Sequence, residues 1–89
     1  MGFYVYIIQS EKDHSFYKGF SEQPTNRLKE HNQGISQYTA NKIPWKLIYV
    51  EELSSKREAL IREKKLKKYS HEQIRKLIHS PKNKVKQFL

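Results

Sequence analysis

The segment that most constrains the fold is residues 3–9, whose sequence FYVYIIQ is almost entirely aromatic or aliphatic. Such residues favour strands, and a run without polar alternation indicates a strand that is covered on both faces. The polar stretch EKDHS then separates it from a second short strand, FYKGF, at 16–20. The two strands predict a hairpin, and a turn centred near Lys12 places Tyr6 close to Tyr17.

A helix and a third strand are predicted after the hairpin. Pro24 near the start and Gly34 past the end of PTNRLKEHNQG indicate a helix over about 24–33, since proline favours the first turn and glycine the stop. The next segment, ISQYTANKIP, has no periodicity and ends in Pro44, which predicts a loop. Residues 45–53, WKLIYVEEL, predict the third strand.

Two further helices are predicted in the last third of the chain. Ser54 or Ser55 can cap a helix over about 56–68, and SHEQ at 70–73 is a capping box that opens a shorter helix to about His79. We expect the basic tail to dock onto the body through three apolar side chains, Val85, Phe88 and Leu89.

The order β-β-α-β-α-α predicts an α/β (α+β) domain in which a small three-stranded antiparallel sheet is flanked by helices. Eighty-nine residues with 36% hydrophobic content can bury one modest core, so we expect a single domain over 1–89. The absence of cysteine excludes a disulfide framework and a thiolate zinc site, and a reducing cytoplasm is the expected compartment. No apolar run suits a membrane span or a secretion signal, and we expect neither a membrane partner nor a small-molecule cofactor.

The net charge of +9 is unevenly distributed along the chain. Residues 1–55 carry six Lys and Arg against six Asp and Glu, whereas residues 56–89 carry twelve against three. A basic segment on a neutral scaffold is typical of proteins that bind a polyanion, most often nucleic acid. A lysine-rich solvated helix face would give the same pattern, so charge alone leaves both interpretations open.

The helix over 56–68 is expected to bury one apolar stripe, formed by Leu60, Ile61 and Leu66. Glu63 lies within this stripe. A carboxylate near the core needs a partner or a metal to compensate the loss of its hydration. The alternative is that Glu63 lies at the edge of the stripe and pairs with Arg62, Lys67 or another nearby lysine, as surface glutamates on lysine-rich helices commonly do.

Arg27 and His31 are four residues apart on the first predicted helix and therefore share one face. Guanidinium suits the binding of phosphate, and imidazole can transfer a proton near neutral pH. The alternative for this pair is a solvated helix face. No pair of histidines has the spacing of metal ligands, and the other three are expected in turns or at the surface: His14, His71 and His79.

Six tyrosines are many for a chain of this length, and three of them concentrate in the predicted hairpin: Tyr4, Tyr6 and Tyr17. Tyrosines on a small sheet commonly bury the ring and bond the hydroxyl to a partner. They can also stack on nucleic acid or take part in proton transfer, and the cluster alone does not decide between these roles.

In combination, these residues resemble the GIY-YIG nuclease superfamily, most closely its small stand-alone bacterial branch. The resemblance covers about residues 3–80. It rests on YVY at 4–6, YKG at 17–19, Arg27 and His31 in RLKEHNQG, YT at 38–39, PWKLIYVEEL, and EALIREKKLKK with Glu63. The motifs depart from the family pattern at Tyr4 and Lys18, which stand where the family has glycine and isoleucine.

The resemblance implies a three-stranded antiparallel sheet, in agreement with the pattern of predicted elements. It also implies a role for four residues at a scissile phosphate: Tyr6, Tyr17, Arg27 and Glu63. Of these, Glu63 would hold a single Mg²⁺ or Mn²⁺ ion. We expect His31 to assist the two tyrosines in handling the attacking water. We expect four lysines to contact nucleic acid: Lys18, Lys64, Lys67 and Lys68. Asn83 is a candidate for the asparagine that some members carry late in the domain.

The expected activity is hydrolysis of phosphodiester bonds by a divalent-metal-dependent endonuclease, with DNA in preference to RNA as substrate. The alternatives are a non-catalytic nucleic-acid-binding module that retains the nuclease fold, and a small protein-interaction subunit. Retention of Glu63 beside Arg27 and the two tyrosines favours the enzyme, because a carboxylate repels phosphate unless a metal ion lies between them.

Overall fold

The structure is a computed structural model that describes residues 2–89, so Met1, which the predicted domain includes, lies outside the described residues. Its strands are β1 (Phe3–Ser10), β2 (Phe16–Ser21) and β3 (Trp45–Leu53). Its α-helices are α1 (Pro24–Asn32), α2 (Lys56–Leu66) and α3 (His71–Ile78), and short 3-10 helices cover Ala40–Lys42 and Val85–Phe88. The predicted order of strands and α-helices is confirmed.

The three strands form one antiparallel sheet in the order β2-β1-β3, which makes β1 the central strand. Successive side chains of β1 point to opposite faces. Val5 and Ile7 are buried in one core layer, and Tyr6 and Ile8 are buried in the other. This double burial explains why the first strand has no polar alternation in its sequence.

The hairpin register places Tyr6 opposite Gly19 and Ile8 opposite Tyr17. Both tyrosines therefore lie on the same face, two positions apart along the ladder and diagonal to each other. Their ring centroids are 6.4 Å apart, which confirms the predicted proximity of Tyr6 and Tyr17.

The two faces of the sheet are covered by different helices. On the face of Val5 and Ile7, α2 and α3 contribute four buried side chains, Ala59, Leu66, Ile74 and Leu77. On the face of Tyr6 and Ile8, α1 and the C-terminal 3-10 helix cover a layer that includes Trp45. The fold therefore holds Tyr6, Tyr17 and the first helix on one side of the sheet, whereas the basic helix α2 packs on the other.

Local signals set the helix ends. Gly34 follows α1 with a φ of +78°, in the left-handed region where glycine is favoured, and so stops the helix. Ser55 caps α2 by accepting a hydrogen bond of 3.1 Å from the backbone N–H of Glu58. Ser70 and Gln73 form the predicted capping box of α3. Helix α2 ends at Leu66, two residues before the predicted end.

The predicted apolar stripe of α2 was wrong in two of its three members. Leu60 and Ile61 are 44% and 59% exposed, whereas Ala59 and Leu66 are buried. Each residue advances roughly 100° around a helix, so positions 60 and 61 turn progressively away from the face of Ala59, and position 63 returns to it. Glu63 therefore lies near the sheet, as predicted, although two of its expected apolar neighbours do not.

The C-terminal tail docks through Val85 and Phe88, which pack against the layer that contains Tyr6. The expected docking of Leu89 was wrong, because this last described residue is 85% exposed. Asn83 anchors the tail: its Nδ2 donates to the carbonyl oxygens of Ile48 at 3.0 Å and Ile78 at 2.9 Å. Its Oδ1 accepts from the backbone N–H groups of two residues, Val50 and Val85.

Candidate active site

The Tyr6 side chain crosses the neighbouring strand at Gly19. A β-carbon on Gly19 would lie 2.5 Å from the Tyr6 hydroxyl oxygen and 2.6 Å from Cζ. No side chain other than hydrogen fits there while Tyr6 keeps this position. The glycine of YKG therefore gives the Tyr6 ring its path to the β2 edge of the sheet.

His31 lies fully buried between Tyr6 and Thr39. Its Nε2 is 3.0 Å from the Tyr6 hydroxyl oxygen, and its Nδ1 is 2.8 Å from Oγ1 of Thr39. The Thr39 hydroxyl donates to the carbonyl oxygen of Ser36 at 3.3 Å, so its oxygen accepts from Nδ1–H of His31. This chain of hydrogen bonds assigns the tautomer: Nε2 of His31 carries no proton and accepts the Tyr6 O–H.

Burial controls the charge of both partners. Burial and, to a lesser extent, the nearby Arg27 guanidinium lower the pKa of His31 to about 4, against a smaller opposing effect of Glu30. Burial also raises the pKa of Tyr6, the Tyr17 hydroxyl adds to the rise, and Arg27 opposes it. At neutral pH, His31 is therefore an uncharged acceptor and Tyr6 a protonated donor.

A second set of hydrogen bonds fixes the elements that carry His31 and Thr39. The Asn32 side chain at the end of α1 pairs with the backbone of Trp45, donating to its carbonyl oxygen at 2.9 Å and accepting from its N–H at 2.6 Å. The indole Nε1–H of Trp45 donates to the Thr39 carbonyl oxygen at 2.9 Å. Trp45 thus ties the last turn of α1 and the following loop to the start of β3.

Sequence reasoning missed Asn32, Thr39 and Trp45 as supports of the site. The available signal was indirect, since YT and PW contributed to the resemblance without an assigned role. The predicted loop does span this region, but it contains the short 3-10 helix Ala40–Lys42 and a buried threonine.

Tyr17 is the more accessible of the two predicted tyrosines. It is half-buried, and its ring centroid lies 5.0 Å from that of His31 and 5.8 Å from that of Tyr38. It borders an open cleft of about 550 Å³ lined by Phe16, Tyr17, Lys18, Tyr38 and Lys67. Because side chains from both faces of β2 line it, the cleft lies along the edge of this strand.

Arg27 lies on α1 one turn before His31. Its Nη1 donates to Oε1 of Glu30 at 2.7 Å, a partner that the sequence prediction did not include. The Arg27 side chain remains 33% exposed, and its charge reaches the Tyr6 hydroxyl closely enough to oppose the rise of the Tyr6 pKa that burial causes. Arg27 therefore has free donors that face solvent beside the tyrosine pair.

The Glu63 side chain is 19% exposed, and its Oε2 lies 3.6 Å from Nζ of Lys67. Lys67 is one of the partners that the alternative interpretation predicted for Glu63. Arg62, which that interpretation also named, pairs with Glu51 at 3.0 Å instead. After the larger effects of burial and Tyr17, Glu63 also raises the pKa of Tyr6. The Glu63 carboxylate therefore lies close enough to the Tyr6 hydroxyl for its charge to act on the pKa of Tyr6.

The donor set fits a magnesium ion held by one carboxylate. Within residues 2–89, no three or more His, Cys, Asp or Glu side chains lie close enough together to hold a metal ion. Mg²⁺ retains several waters and commonly binds through one or two carboxylates together with substrate phosphates. The half-buried Glu63 carboxylate makes no hydrogen bond to another described residue, so its lone pairs are available for such an ion.

The four predicted nucleic-acid-binding lysines fall into two groups. Lys18 and Lys67 line the cleft beside Tyr17, and burial lowers the pKa of Lys18. Lys64 and Lys68 are exposed near the end of α2 and do not line this cleft. Asn83 is not brought to the site, since it bonds β3 at the opposite edge of the sheet from β2.

Comparisons with known proteins identify the family of this chain. Residues 2–76 match the GIY-YIG catalytic domain. The chain belongs to the GIY-YIG family. The family resemblance is thereby confirmed, and this GIY-YIG chain has a nuclease-type fold.

Relatives of this GIY-YIG domain are UPF0213 proteins of similar length. The UPF0213 protein CPE1444 of Clostridium perfringens is 42% identical over 78 residues, which cover 86% of this chain and 83% of the relative. The protein SH2523 of Staphylococcus haemolyticus is 41% identical over 76 residues, which cover 84% and 92%. The solution NMR structure of BH0048 from Bacillus halodurans matches with a TM-score of 0.58 at 28% identity, covering 99% of this chain and 94% of that one.

None of the helices in the described part of the chain has the length and apolar character that crossing a membrane requires.

Proposed function

We propose that this GIY-YIG domain is a divalent-metal-dependent endonuclease that hydrolyses phosphodiester bonds of nucleic acid, with DNA in preference to RNA. The supporting observation is the environment of the Tyr6 hydroxyl. It donates to an uncharged, buried His31 at 3.0 Å, and both the Arg27 guanidinium and the Glu63 carboxylate act on its pKa. Charges alone do not mark a site, since the core residue Tyr49 also has them around its hydroxyl. Tyr6 differs because it donates to an uncharged imidazole that can accept its proton.

Arg27 has the chemistry to bind the scissile phosphate. A guanidinium offers five N–H donors in a planar fork that matches two phosphate oxygens. In this position it neutralises charge that develops on the phosphate during attack, an effect that contributes most where water is excluded. The pair with Glu30 leaves donors free for this contact.

Tyr6, Tyr17 and His31 provide a route for the proton of an attacking water. The Tyr6 oxygen takes this proton as its own passes to Nε2 of His31, which is unprotonated and 3.0 Å away. The resulting imidazolium keeps its Nδ1–H bond to Thr39. The more exposed Tyr17 hydroxyl orients the water, which enters from the cleft that Tyr17 borders.

Glu63 would hold the divalent ion, which when bound supplies a Lewis acid that polarises the phosphate and stabilises the leaving oxygen. Without the ion, the carboxylate would repel a phosphate beside Arg27. This dependence separates the enzyme from a pure binding module, which needs cations but no inward carboxylate.

A non-catalytic binding module is the second candidate, and one observation favours it. Glu63 pairs with Lys67 four residues later, as an ordinary helix-surface glutamate does. In that case Glu63 serves only to orient a lysine, and the basic surface binds nucleic acid without cutting it.

The test is a cleavage assay on single-stranded, duplex and branched DNA and RNA with Mg²⁺ or Mn²⁺, compared with EDTA. Glu63→Gln should lower the cleavage rate by about 1,000-fold or more, a barrier increase of about 4 kcal/mol. A matched control is Glu72→Gln on α3, since Glu72 makes the same i, i+4 pair with Lys76 at 3.9 Å and both side chains are 79% exposed. This control should cut at the parent rate.

Melting temperatures must accompany the assay, because an unfolded variant would also fail to cut. A folded Glu63→Gln protein that cuts like the parent would refute the metal-site assignment. A parent protein that binds nucleic acid with any of these cations and never cuts it would establish the binding module.

A further inference from the structure

Tyr38 is the most exposed aromatic residue beside the candidate active site. It is 81% exposed in the loop between α1 and β3, while the residue that follows it, Thr39, is fully buried against His31. A single exposed apolar side chain is ordinary by itself, but Tyr38 also lines the cleft that Tyr17 borders. The neighbouring buried threonine fixes the backbone that carries the ring, so Tyr38 is held in a defined place.

The surroundings of Tyr38 are cationic. Lys18 and Lys67 line the same cleft, and no acidic residue of the described chain lines it. Lys18 is half-buried and pairs with no carboxylate within residues 2–89, whereas Lys67 makes only the loose 3.6 Å contact with Glu63. An aromatic ring in one cleft with two ammonium groups complements a ligand that combines an aromatic ring with a phosphate.

The dimensions of the cleft suit one nucleotide. Its volume of about 550 Å³ lies within the usual range of about 300 to 1,000 Å³ for small-ligand sites. The Tyr38 ring is tilted 49° to the Tyr17 ring, so the two do not stack on each other and Tyr38 keeps a face open. Tyr17 belongs both to this cleft and to the candidate active site, which makes the two continuous.

We propose that this cleft is a subsite for one nucleotide next to the scissile phosphate, in which Tyr38 stacks on an unpaired base and Lys18 and Lys67 contact the phosphate. The inference rests on the proposed function, because it supplies the neighbour of a phosphate that the active site would cut. A base within a duplex is stacked on both faces and cannot stack on a side chain. The substrate therefore presents an unstacked base at this position.

The experiment measures affinity by fluorescence anisotropy in EDTA, so that binding is read without cleavage. Single-stranded DNA and RNA of the same sequence are titrated, and the one that binds more tightly shows whether the subsite prefers a deoxyribonucleotide or a ribonucleotide. Tyr38→Ala should weaken binding of the single strand by about 5- to 100-fold, the loss expected of one stacked base. Tyr38→Phe should keep the parent affinity, because the ring and not the hydroxyl makes the contact.

A matched control is Ile35→Ala, which removes another exposed apolar side chain from the same loop but lies outside the cleft. It should bind as the parent does. Lys18→Gln should weaken binding and lower the slope of log affinity against log salt by about one, as expected for one lost phosphate contact.

An abasic residue placed at successive positions of the strand gives the sharpest outcome. At one position it should reproduce the loss seen with Tyr38→Ala, and in Tyr38→Ala it should cause no further loss, since the same contact is already absent. If the parent binds tightly and Tyr38→Ala binds equally well, the subsite is overturned and the proposed function stands. If the parent binds no nucleic acid in EDTA, the subsite is overturned, and the proposed function falls with it if the cleavage assay with Mg²⁺ or Mn²⁺ is also negative.

Discussion

The Tyr6 side chain fills the space that a β-carbon on Gly19 would need, since that β-carbon would lie 2.5 Å from the tyrosine hydroxyl oxygen. The two residues are directly opposite each other on neighbouring strands, and the Tyr6 ring lies over the backbone of Gly19. The YKG motif therefore does two things, since its tyrosine borders the cleft and its glycine admits the tyrosine of β1. This relationship gives the first prediction.

Gly19→Ala should displace the Tyr6 ring from His31 and lower the cleavage rate at least tenfold. Overpacking of a filled layer typically costs about 1 to 3 kcal/mol, and Tyr6 is too deeply buried to move aside freely. The control is Gly2→Ala, whose β-carbon would lie 2.5 Å from Oε2 of Glu52, the free end of an exposed side chain that can swing away. Melting and cleavage of both variants are compared, and a Gly19→Ala protein with parental values would show that Tyr6 is not held there.

The second prediction concerns stability and pH. The pKa of His31 is lowered from 6.5 to about 4, mainly by burial, so the unfolded chain binds more protons than the folded one between these values. The free energy of unfolding should therefore be highest above pH 6.5 and fall as the pH drops to 4, by on the order of 3 kcal/mol.

Denaturant unfolding between pH 4 and pH 7.5 measures this loss. His31→Gln cannot titrate, so its stability should lack this slope even if it is lower throughout. Asp13 contributes little above pH 4, because the hydrogen bonds from Ser15 lower the pKa of its carboxyl and most of its effect falls at more acidic pH. An unchanged slope in His31→Gln would contradict the assigned neutral histidine.

Thr39 gives the third prediction, because it fixes the tautomer of His31 through the 2.8 Å contact at Nδ1. Thr39→Val keeps the shape but removes the acceptor, leaving a buried N–H unpaired at a cost of about 1 to 3 kcal/mol. The acidic limb of the pH–rate profile should shift with it, which a purely structural role would not cause. Thr39→Ser restores the oxygen and should restore the profile; a parental profile in Thr39→Val would rule out the positioning role.

Local sequence signals were sufficient for the elements of this fold but not for the contacts between them. The strands of the hairpin, the Gly34 stop and the Ser70 capping box each depend on a few adjacent residues, and each was predictable. The bonds of Asn32 to Trp45 join residues 13 apart through an irregular loop, and no spacing rule indicates them.

In the candidate site, too, local patterns predicted which residues are neighbours but not the environment that they share. Helical spacing placed Arg27 beside His31, and the hairpin placed Tyr6 beside Tyr17, but neither pattern could show that His31 is buried and uncharged. That property arises where α1, the following loop and the sheet meet. The apolar appearance of Leu60 and Ile61 misled the prediction, because hydrophobicity alone does not tell which side of α2 faces the sheet.

Asn83 provides the fourth prediction. Its side chain makes four hydrogen bonds to backbone groups, at 2.9 to 3.1 Å, and so attaches the tail to β3 and to the end of α3. Asn83→Ala should lower the free energy of unfolding by about 2 to 4 kcal/mol, because the backbone partners are left unpaired. Below its melting temperature the variant should cut at the parent rate. A large loss of cleavage in a fully folded variant would give Asn83 a direct role at the site.

The last prediction concerns Arg27, where two substitutions separate the effect of the positive charge from that of the planar guanidinium. Arg27→Ala should lower the cleavage rate by at least about 100-fold while weakening binding far less, since the contact strengthens as charge develops on the phosphate. Arg27→Lys keeps the charge but not the planar fork, and should recover little of the rate.

Glu30→Gln is the matched control, because it removes the carboxylate that Arg27 contacts at 2.7 Å and leaves the guanidinium intact. It should cut at least as fast as the parent, since no competing anion then holds the fork. Single-turnover rates and affinities in EDTA measure the two effects separately, and full activity in Arg27→Ala would remove the arginine from the site.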